Sequence, residues 1–388
     1  MQRSADCPFS SANSDSKSAA TVGRRLKALD GVEYVRDYPS ARGILLDKGL
    51  LQAGAGAEFV DLSDPDMTPV FYLDGAVHRR KRANIARFFT NKAIAERYQA
   101  IIERETTRLL GQLRRDGTAR LDIISFELTV AVAANIVGLT NSDIPKMARR
   151  LARILAAASF ERPPLPARLR QGLGRAVSAL GFYTRDVIPA LRARRRAPQD
   201  DLLSELVAKK ASLRSIMIEC MTYAGAGMVT TREFIVMAAW HLFDDAALRA
   251  DFLAGDEERQ LAILYEILRI EPIASVLMRR EGGSGGDAKT YGLDIRAVNS
   301  DEAVVGACPF KIDPERGART KANGAFLSFG AGAHHCPGKQ VALHETRLFL
   351  DALLRVPGIR LARAPDVGWS DALLSYELRD AVVTCDRA

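Results

Sequence analysis

The chain has 388 residues, 47% of them hydrophobic and 26% charged, with a formal net charge of +8. That is an ordinary globular composition, and no apolar run reaches the about 18 residues that a membrane-spanning helix needs. Five cysteines, at positions 7, 220, 308, 336 and 385, are scattered, odd in number and without Cys-x-x-Cys spacing, which argues against a disulfide framework or a zinc site.

In chain order, Met1 to Ala20 is Ser-rich and polar with no apolar core, so it reads as neither signal nor anchor. Disorder is expected over residues 1–22, and the chain is expected to be cytoplasmic. Asp47 to Leu62 reads as loop; its Gly54-Ala55-Gly56 cluster has no strand before it and no helix after it, so it is not a dinucleotide fingerprint. Residues 78–90 pattern as a basic amphipathic helix, 93–113 as a second helix and 126–137 as a buried, small-residue-rich one. The Pro-rich break 162–166 precedes a helix over 169–195, and Pro198 to Leu203 reads as a helix start with acids in its first turn. The basic runs at 79–82 and 192–196 lack the aromatic interleaving of a nucleic-acid signature. They read as a docking patch with anion contacts and as a solvated helix face.

Leu213 to Phe243 is a nearly continuous helix pattern, apolar almost all round, and is placed centrally in the core. Leu261 to Ile270 is another helix. Residues 272–300 read as strands around a Gly-Gly-Ser-Gly-Gly insertion at 282–286, expected to be a flexible hairpin tip. A helix over 338–354 stops at Pro357-Gly358, and 366–388 reads as short strands. The sum is a mainly α protein with a small β component, a single domain over 23–388.

Residues 329–338 read Phe-Gly-Ala-Gly-Ala-His-His-Cys-Pro-Gly. Gly330 and Gly332 permit φ > 0 and close backbone approach, so amides can point at the Cys336 sulfur. Pro337 stands where a first helical residue would stand, which puts Cys336 near a helix N-terminus, where a thiol is acidified. A thiolate held this way suits an axial ligand of a haem iron; the plainer alternative is a buried free cysteine before a helix. Glu266 and Arg269 share one helix face in an otherwise apolar segment, so the pair can be buried. His78 and Arg82 share a face of the early basic helix, and Arg279 follows Pro272. Alone, each of these reads as a solvated surface residue. Ala224-Gly225-Ala226-Gly227 allow a flat group to approach the central helix, or close helix packing. The Thr230 hydroxyl after them can bond back to a carbonyl and open the helix. His241, His335 and His344 read as structural or exposed.

Phe329, Gly330, Gly332, His334, Cys336 and Gly338 match Phe-Gly-x-Gly-x-His-x-Cys-x-Gly, and the loop resembles the haem-binding loop of the cytochrome P450 family. The resemblance covers roughly residues 25–388, with its motifs in the family's order. It implies haem b ligated by the Cys336 thiolate, held between the long central helix and the cysteine loop with its following helix. It further implies a structural clamp of Glu266 and Arg269, and propionate donors at His78, Arg82, Arg279 and His334. Ala226, Gly227 and Thr230 match the family's Ala-Gly-x-acid-Thr, in which the threonine aids proton delivery and the acid feeds it. Here Val229 stands at the acid position, so Thr230, Thr231, ordered waters or a polar substrate group are expected to take over, and Glu233 is a further candidate. The segment 299–316 matches the family only loosely.

The implied activity is that of a soluble, bacterial-type haem-thiolate monooxygenase, using O2 and two electrons from a ferredoxin and its reductase docked on a basic face. Substrate contacts are expected from loop 60–73, from Tyr223, Ala226, Val229 and Thr230, from Ile273 to Leu277 including Val276, and from Leu373 and Leu374 to Tyr376. These positions are mostly apolar, so a small hydrophobic or aromatic molecule is expected. Two alternatives stay open: a haem-thiolate enzyme of another reaction type (oxidative coupling, nitration, peroxide-driven oxidation or nitric oxide reduction), and a non-catalytic haem ligand sensor.

Overall fold

Helices dominate the computed structural model, which describes residues 14–27, 31–54, 64–65, 68–155, 165–282, 288–320, 324, 326–371 and 373–388. Residues 1–13, 55–63, 156–164 and 283–287 lie outside the described residues, and with them most of the tail, much of loop 60–73, the start of the Pro-rich break and the tip of the Gly-Gly-Ser-Gly-Gly insertion. The chain divides into two units, Met1–Phe59 with Val236–Lys339 and Pro365–Arg379, and Val60–Ile235 with Gln340–Ala364 and Asp380–Ala388. Each is assembled from three stretches of sequence, so neither is a contiguous piece of the single domain expected over 23–388.

The first unit is built on a four-stranded sheet. Glu33–Val35 runs parallel to Thr290–Asp294, which pairs antiparallel with Val276–Glu281, which in turn pairs antiparallel with Leu50–Ala53. The strands flanking the glycine insertion fall where the sequence put them. The strands 33–35 and 50–53 were not expected, because three or four residues carry no resolvable alternation. Ala41, Leu45, Leu293, Ile295, Val298 and Leu327 form a core cluster, with Leu277 and Ala331 packed against it. A hairpin of Asp366–Ser370 and Ser375–Arg379 completes this unit.

The expected disorder of residues 1–22 does not hold for 14–22. Ala19–Leu26 is a helix that buries Val22 and Leu26 and packs against the 366–379 hairpin. Its N-terminus is anchored on Glu271, whose side chain is 0% exposed. The Glu271 carboxylate accepts from the amides of Lys17 and Ser18 and from the hydroxyls of Ser16 and Ser18, with His241 Nε2 at 3.4 Å. A carboxylate at a helix N-terminus satisfies orphan amides and complements the dipole. Composition counts those serines as polar and unburied; here they are the donors that one buried charge requires. Cys308 is disulfide-bonded, which the scatter of cysteines did not lead us to expect.

The second unit is helical around Leu121–Val137, which buries residues on all sides and packs against Gln99–Asp116, Ile144–Leu155 and the segment Ala224–Val229. Helices Gly75–Ala86, Leu165–Phe182, Ile188–Arg196, Leu202–Ala208 and Leu213–Tyr223 belong to the same unit. A three-stranded sheet orders Thr118–Arg120, Val382–Thr384 and Arg360–Arg363. The expected, nearly continuous helix pattern of 213–243 is real in extent, and the local opening expected at Thr230 is a π-helical segment: Leu213–Tyr223 passes through Ala224–Val229 into Thr230–Asp244.

Candidate active site

The cysteine loop is folded on itself before it reaches the sulfur. Gly330 N–H donates to Leu327 O at 2.9 Å, Cys336 N–H to Phe329 O at 2.9 Å, and His335 N–H to Gly332 O at 3.2 Å. Gly332 has φ +69°, and a Cβ there would lie 2.5 Å from the carbonyl oxygen of Leu45. No other residue fits that conformation and that approach together. Gly330, at φ +68°, sits against Leu277. The Cys336 thiol is free of any disulfide and half-buried. Pro337 and Gly338 form a turn and the helix begins at Lys339, two residues later than the proline suggested.

Behind the loop, the expected Glu266–Arg269 pair is buried and carries more than the pair. Arg269, 0% exposed, binds Glu266 through Nε and Nη2 at 2.8 and 3.1 Å and donates to the carbonyls of Asn299, Pro309 and Lys311. Arg316, also buried, reaches Glu266 Oε2 at 3.2 Å and donates to the carbonyls of Val305, Ala307, Cys308 and Lys311. Asn299 closes the frame: its Oδ1 accepts the Leu327 amide and its Nδ2 donates to Ser328 Oγ, which itself donates to Leu268 O. The start of the loop is thereby tied to the end of helix Glu257–Ile270. Sequence reasoning missed Arg316, Asn299 and Ser328. An arginine two residues after Pro314 was the available signal.

Arg279 and His334 lie in the same unit as Cys336. Arg279 is 4% exposed, stands opposite Gln52 in the sheet, and donates from Nη1 to Gln52 Oε1 at 2.6 Å and to Met278 O at 2.8 Å. His334 closes the 3-10 turn Gly332–His334 and is half-buried. The expected apolar contacts also come together here. The amides of Ser275 and Val276 donate to Leu374 O, and Leu374 adopts φ 49°. Ile273, Val276 and Leu374 are buried, and Leu373 is half-buried.

In the second unit, His78 and Arg82 lie one turn apart on Gly75–Ala86, with His78 buried and Arg82 half-buried. On the central helix, Met228, Val229 and Thr231 are buried while Ala226 and Gly227 are exposed. A Cβ on Gly225 or Gly227 would meet nothing within 4 Å. Thr230 Oγ1 donates to Ala226 O at 2.6 Å, the back-bond expected where the helix opens. Glu233 is fully buried, and its Oε1 accepts from Arg232, whose guanidinium lies 5.3 Å over the Phe126 ring. That carboxylate is engaged in an ion pair, which removes much of its appeal as a replacement for the missing acid. Tyr223 stacks on Phe89 with centroids 6.4 Å apart, and its hydroxyl has no hydrogen-bond partner among the described residues. Burial pushes the Tyr223 phenol above its usual range, Glu219 adding to the shift and Arg82 opposing it.

These features fit a haem. A half-buried cysteine that is in no disulfide sits in a loop built on left-handed glycines, and the small, exposed residues Ala226 and Gly227 interrupt an otherwise largely buried helix. His78 and Arg82 in one unit, and separately Arg279 and His334 in the other, are each cationic or hydrogen-bonding groups of the kind that a carboxylate leaving water requires. Among the described residues no cluster of His, Cys, Asp and Glu could hold a metal ion by itself.

A family model described as Cytochrome P450 matches residues 261–356, which span the clamp helix, the cysteine loop and the helix after it. Nocardicin C N-oxygenase of Nocardia uniformis subsp. tsuyamanensis is 27% identical over 88% of this chain and 86% of its own. Erythromycin C-12 hydroxylase of Saccharopolyspora erythraea is 26% identical over 84% of this chain and 81% of its own. Among solved structures, CalO2 superposes with a TM-score of 0.74 at 20% identity, covering 95% of this chain and 96% of that one. P450BioI, solved in complex with an acyl carrier protein ligated to hexadec-9Z-enoic acid, gives 0.72 at 21% identity over 94% and 97%. At those identities the structures speak for the fold.

Proposed function

We propose, from the premise that this chain belongs to the cytochrome P450 family, that it is a haem-thiolate monooxygenase that oxidises a small apolar molecule with O2 and two electrons from a redox partner. The observation that carries this reading is the Cys336 thiol, in no disulfide and half-buried, in its glycine-built loop. When bound, the haem would supply the oxygen-activating chemistry, with the Cys336 thiolate as its electron-rich ligand. Cys336 is the residue that would hold the iron. His78, Arg82, Arg279 and His334 would meet the propionates, and Phe329, Gly330, Gly338 and Ala226 would border the ring.

The remaining residues orient substrate and move protons. Gly227 leaves room at the π segment. Thr230 donates to Ala226 O and so keeps its hydroxyl at the π segment. Thr231 is buried beside it. Tyr223 offers the substrate a hydroxyl with no partner among the described residues, while Val229, Ile273, Val276, Leu373 and Leu374 would provide the apolar contacts. The names of the relatives, a nocardicin oxygenase and an erythromycin hydroxylase, support a natural product of modest size. A redox protein of ferredoxin type with an acidic surface is the complementary donor for a chain of net charge +8.

A second reading has its own observation. Val229, 4% exposed, replaces a proton-donating acid, and Glu233 is paired with Arg232. A haem-thiolate enzyme of another reaction type, such as a coupling, nitrating, peroxide-driven or nitric-oxide-reducing one, is the alternative this arrangement supports. Assays with O2 and a surrogate ferredoxin, set against H2O2 or nitric oxide, decide between the two. For the monooxygenase reading, Thr230→Ala lowers product per NAD(P)H consumed several-fold and Val229→Asp raises it. Unchanged coupling in both variants, or turnover with peroxide or nitric oxide alone, overturns it.

A further inference from the structure

The three most exposed large apolar side chains among the described residues stand on one helix. Leu173, Val177 and Leu180 of Leu165–Phe182 are 67%, 62% and 62% exposed. Their spacing of four and three residues puts them on one face. That face borders a surface groove of about 400 Å³ between this helix and Ile144–Leu155, which pack together. Val177 and Leu180 line it from one helix. Lys146, Arg149 and Arg153, all exposed, line it from the other, and the exposed Arg185 adds a further cation. The helices come closest at Gly181, where a Cβ would lie 3.0 Å from Arg150 Cδ. Arg150 itself is engaged: its Nε and Nη2 bind the buried Asp186 at 2.7 and 2.5 Å. Asp143 pairs with Lys146 at 3.4 Å, with both side chains in solvent, and such a pair contributes little. Neither helix carries an acidic residue. The groove therefore offers water an apolar stripe and a set of cations that its own carboxylates do not balance.

We infer that this groove docks an acidic, amphipathic helix of a partner protein, with its apolar residues on Leu173, Val177 and Leu180 and its carboxylates on Arg149, Arg153 and Arg185. The inference holds or fails without the haem-thiolate reading. Two packed helices leave a channel that receives a third, and anchors at i, i+4 and i+7 are what such a helix presents. The stripe from Leu173 to Leu180 runs about 10 Å, two turns of helix. Other occupants match less of it. A second copy of this chain brings a net charge of +8 to a face that is already basic. Nucleic acid answers the cations with phosphates but leaves the leucines wet. An anionic membrane is flat and meets the exposed helix without entering the groove. A small ligand buries most of its surface in one cleft, whereas the stripe continues to Leu173, outside the groove lining. Electron-transfer encounters are small and weak, and charge steering alone serves them. An apolar stripe beneath the charges suits a partner that stays, so the partner is a protein other than the electron donor.

The test uses the full-length, haem-loaded protein as wild type, as Leu180→Asp and as a double variant, Arg149→Glu with Arg153→Glu. The probe is a fluorescent synthetic peptide of about 15 residues, long enough to hold a helix, with leucine at i, i+4 and i+7 and glutamate on the flanks. A peptide of the same composition in scrambled order is the control, and fluorescence anisotropy reads both dissociation constants at low and high salt. The patterned peptide binds wild type about tenfold tighter than the control, the gain expected of one buried anchor. Leu180→Asp removes that gain. The double variant weakens binding and flattens its salt dependence. Equal binding of the two peptides overturns the inference, because it is then charge attraction to a basic chain alone. Patterned-peptide binding that neither variant changes also overturns it. So does Leu180-dependent binding of phosphatidylglycerol vesicles, or dimerisation lost in Leu180→Asp, without binding of the patterned peptide; these assign the face to a membrane or to a second copy. Should Leu180→Asp unfold, the double variant decides: unchanged affinity and salt dependence overturn the inference. Reduction by a surrogate ferredoxin keeps its rate in both variants, and a rate lost in both assigns the groove to the electron donor and overturns the separate partner. A wild-type chain that takes up no haem brings down the haem-thiolate reading and leaves the peptide measurement to decide this inference alone.

Discussion

Glu345 lies on the helix after the cysteine loop, fully enclosed, and its Oε1 makes no hydrogen bond among the described residues. Burial raises its carboxyl from the usual 4.5 to about 8. At neutral pH the folded protein therefore holds a proton that the unfolded chain has lost. Stability from this group is full below about 4.5 and declines as the pH climbs toward 8, because folding must then take up a proton. Glu345→Gln removes that dependence. The melting temperature of the variant relative to wild type should rise steadily between pH 5 and pH 8; a difference that stays flat across that interval contradicts the argument. Single residues were unevenly legible. Gly332 could be assigned from its place in a motif, and its left-handed φ of +69° against the Leu45 carbonyl gives the reason. Arg316 could not: one arginine among 55 basic residues shows its burial only once helix 257–270 and the segment 305–316 are folded together.

Two elements govern the site, and both were found from sequence with a detail missing. The clamp helix was recognised from an apolar run carrying Glu266 and Arg269. Its actual load is two guanidiniums sharing one carboxylate, with seven hydrogen bonds to backbone carbonyls. Removing the carboxylate strands both charges. Glu266→Ala should destabilise the protein by about 3–5 kcal/mol, the typical cost of breaking a buried ion pair, as read by denaturant melts, and should lower haem retention because Asn299 and Ser328 tie this helix to the loop. A loss below about 1 kcal/mol would mean that water replaces the carboxylate. The central helix was read as nearly continuous, because its apolar residues keep helical spacing from Leu213 to Phe243, with a local opening expected at Thr230; what was missing is that the opening is a π-helical segment. The sequence signal for the break was Ala-Gly-Ala-Gly, which lacks side chains to hold an α register. Close helix packing explains the same letters equally well, so only the exposed Ala226 and Gly227 separate the two.

Over the whole chain, fold class and cofactor were legible early, because both rest on local patterns: long apolar periodicities and one ten-residue loop. What sequence misplaced were features made by distant pairings. The polar start of the chain becomes a helix anchored on Glu271, more than 250 residues away in sequence. The three-residue strands Glu33–Val35 and Thr118–Arg120 exist through partners late in the chain. Among the described residues no helix is long and apolar enough to cross a membrane, as the hydropathy indicated. The reaction stays the least legible property, since it turns on proton supply around Val229. Everything else depends on Cys336 binding iron as a thiolate, and a carbon monoxide difference spectrum of the reduced, haem-loaded protein tests that most directly. The account predicts the red-shifted band of a strongly donating thiolate ligand, and its loss in Cys336→His with haem still bound. A wild-type spectrum showing only the unshifted band of histidine-ligated haem, or a Cys336→His protein that keeps the thiolate band, would contradict it.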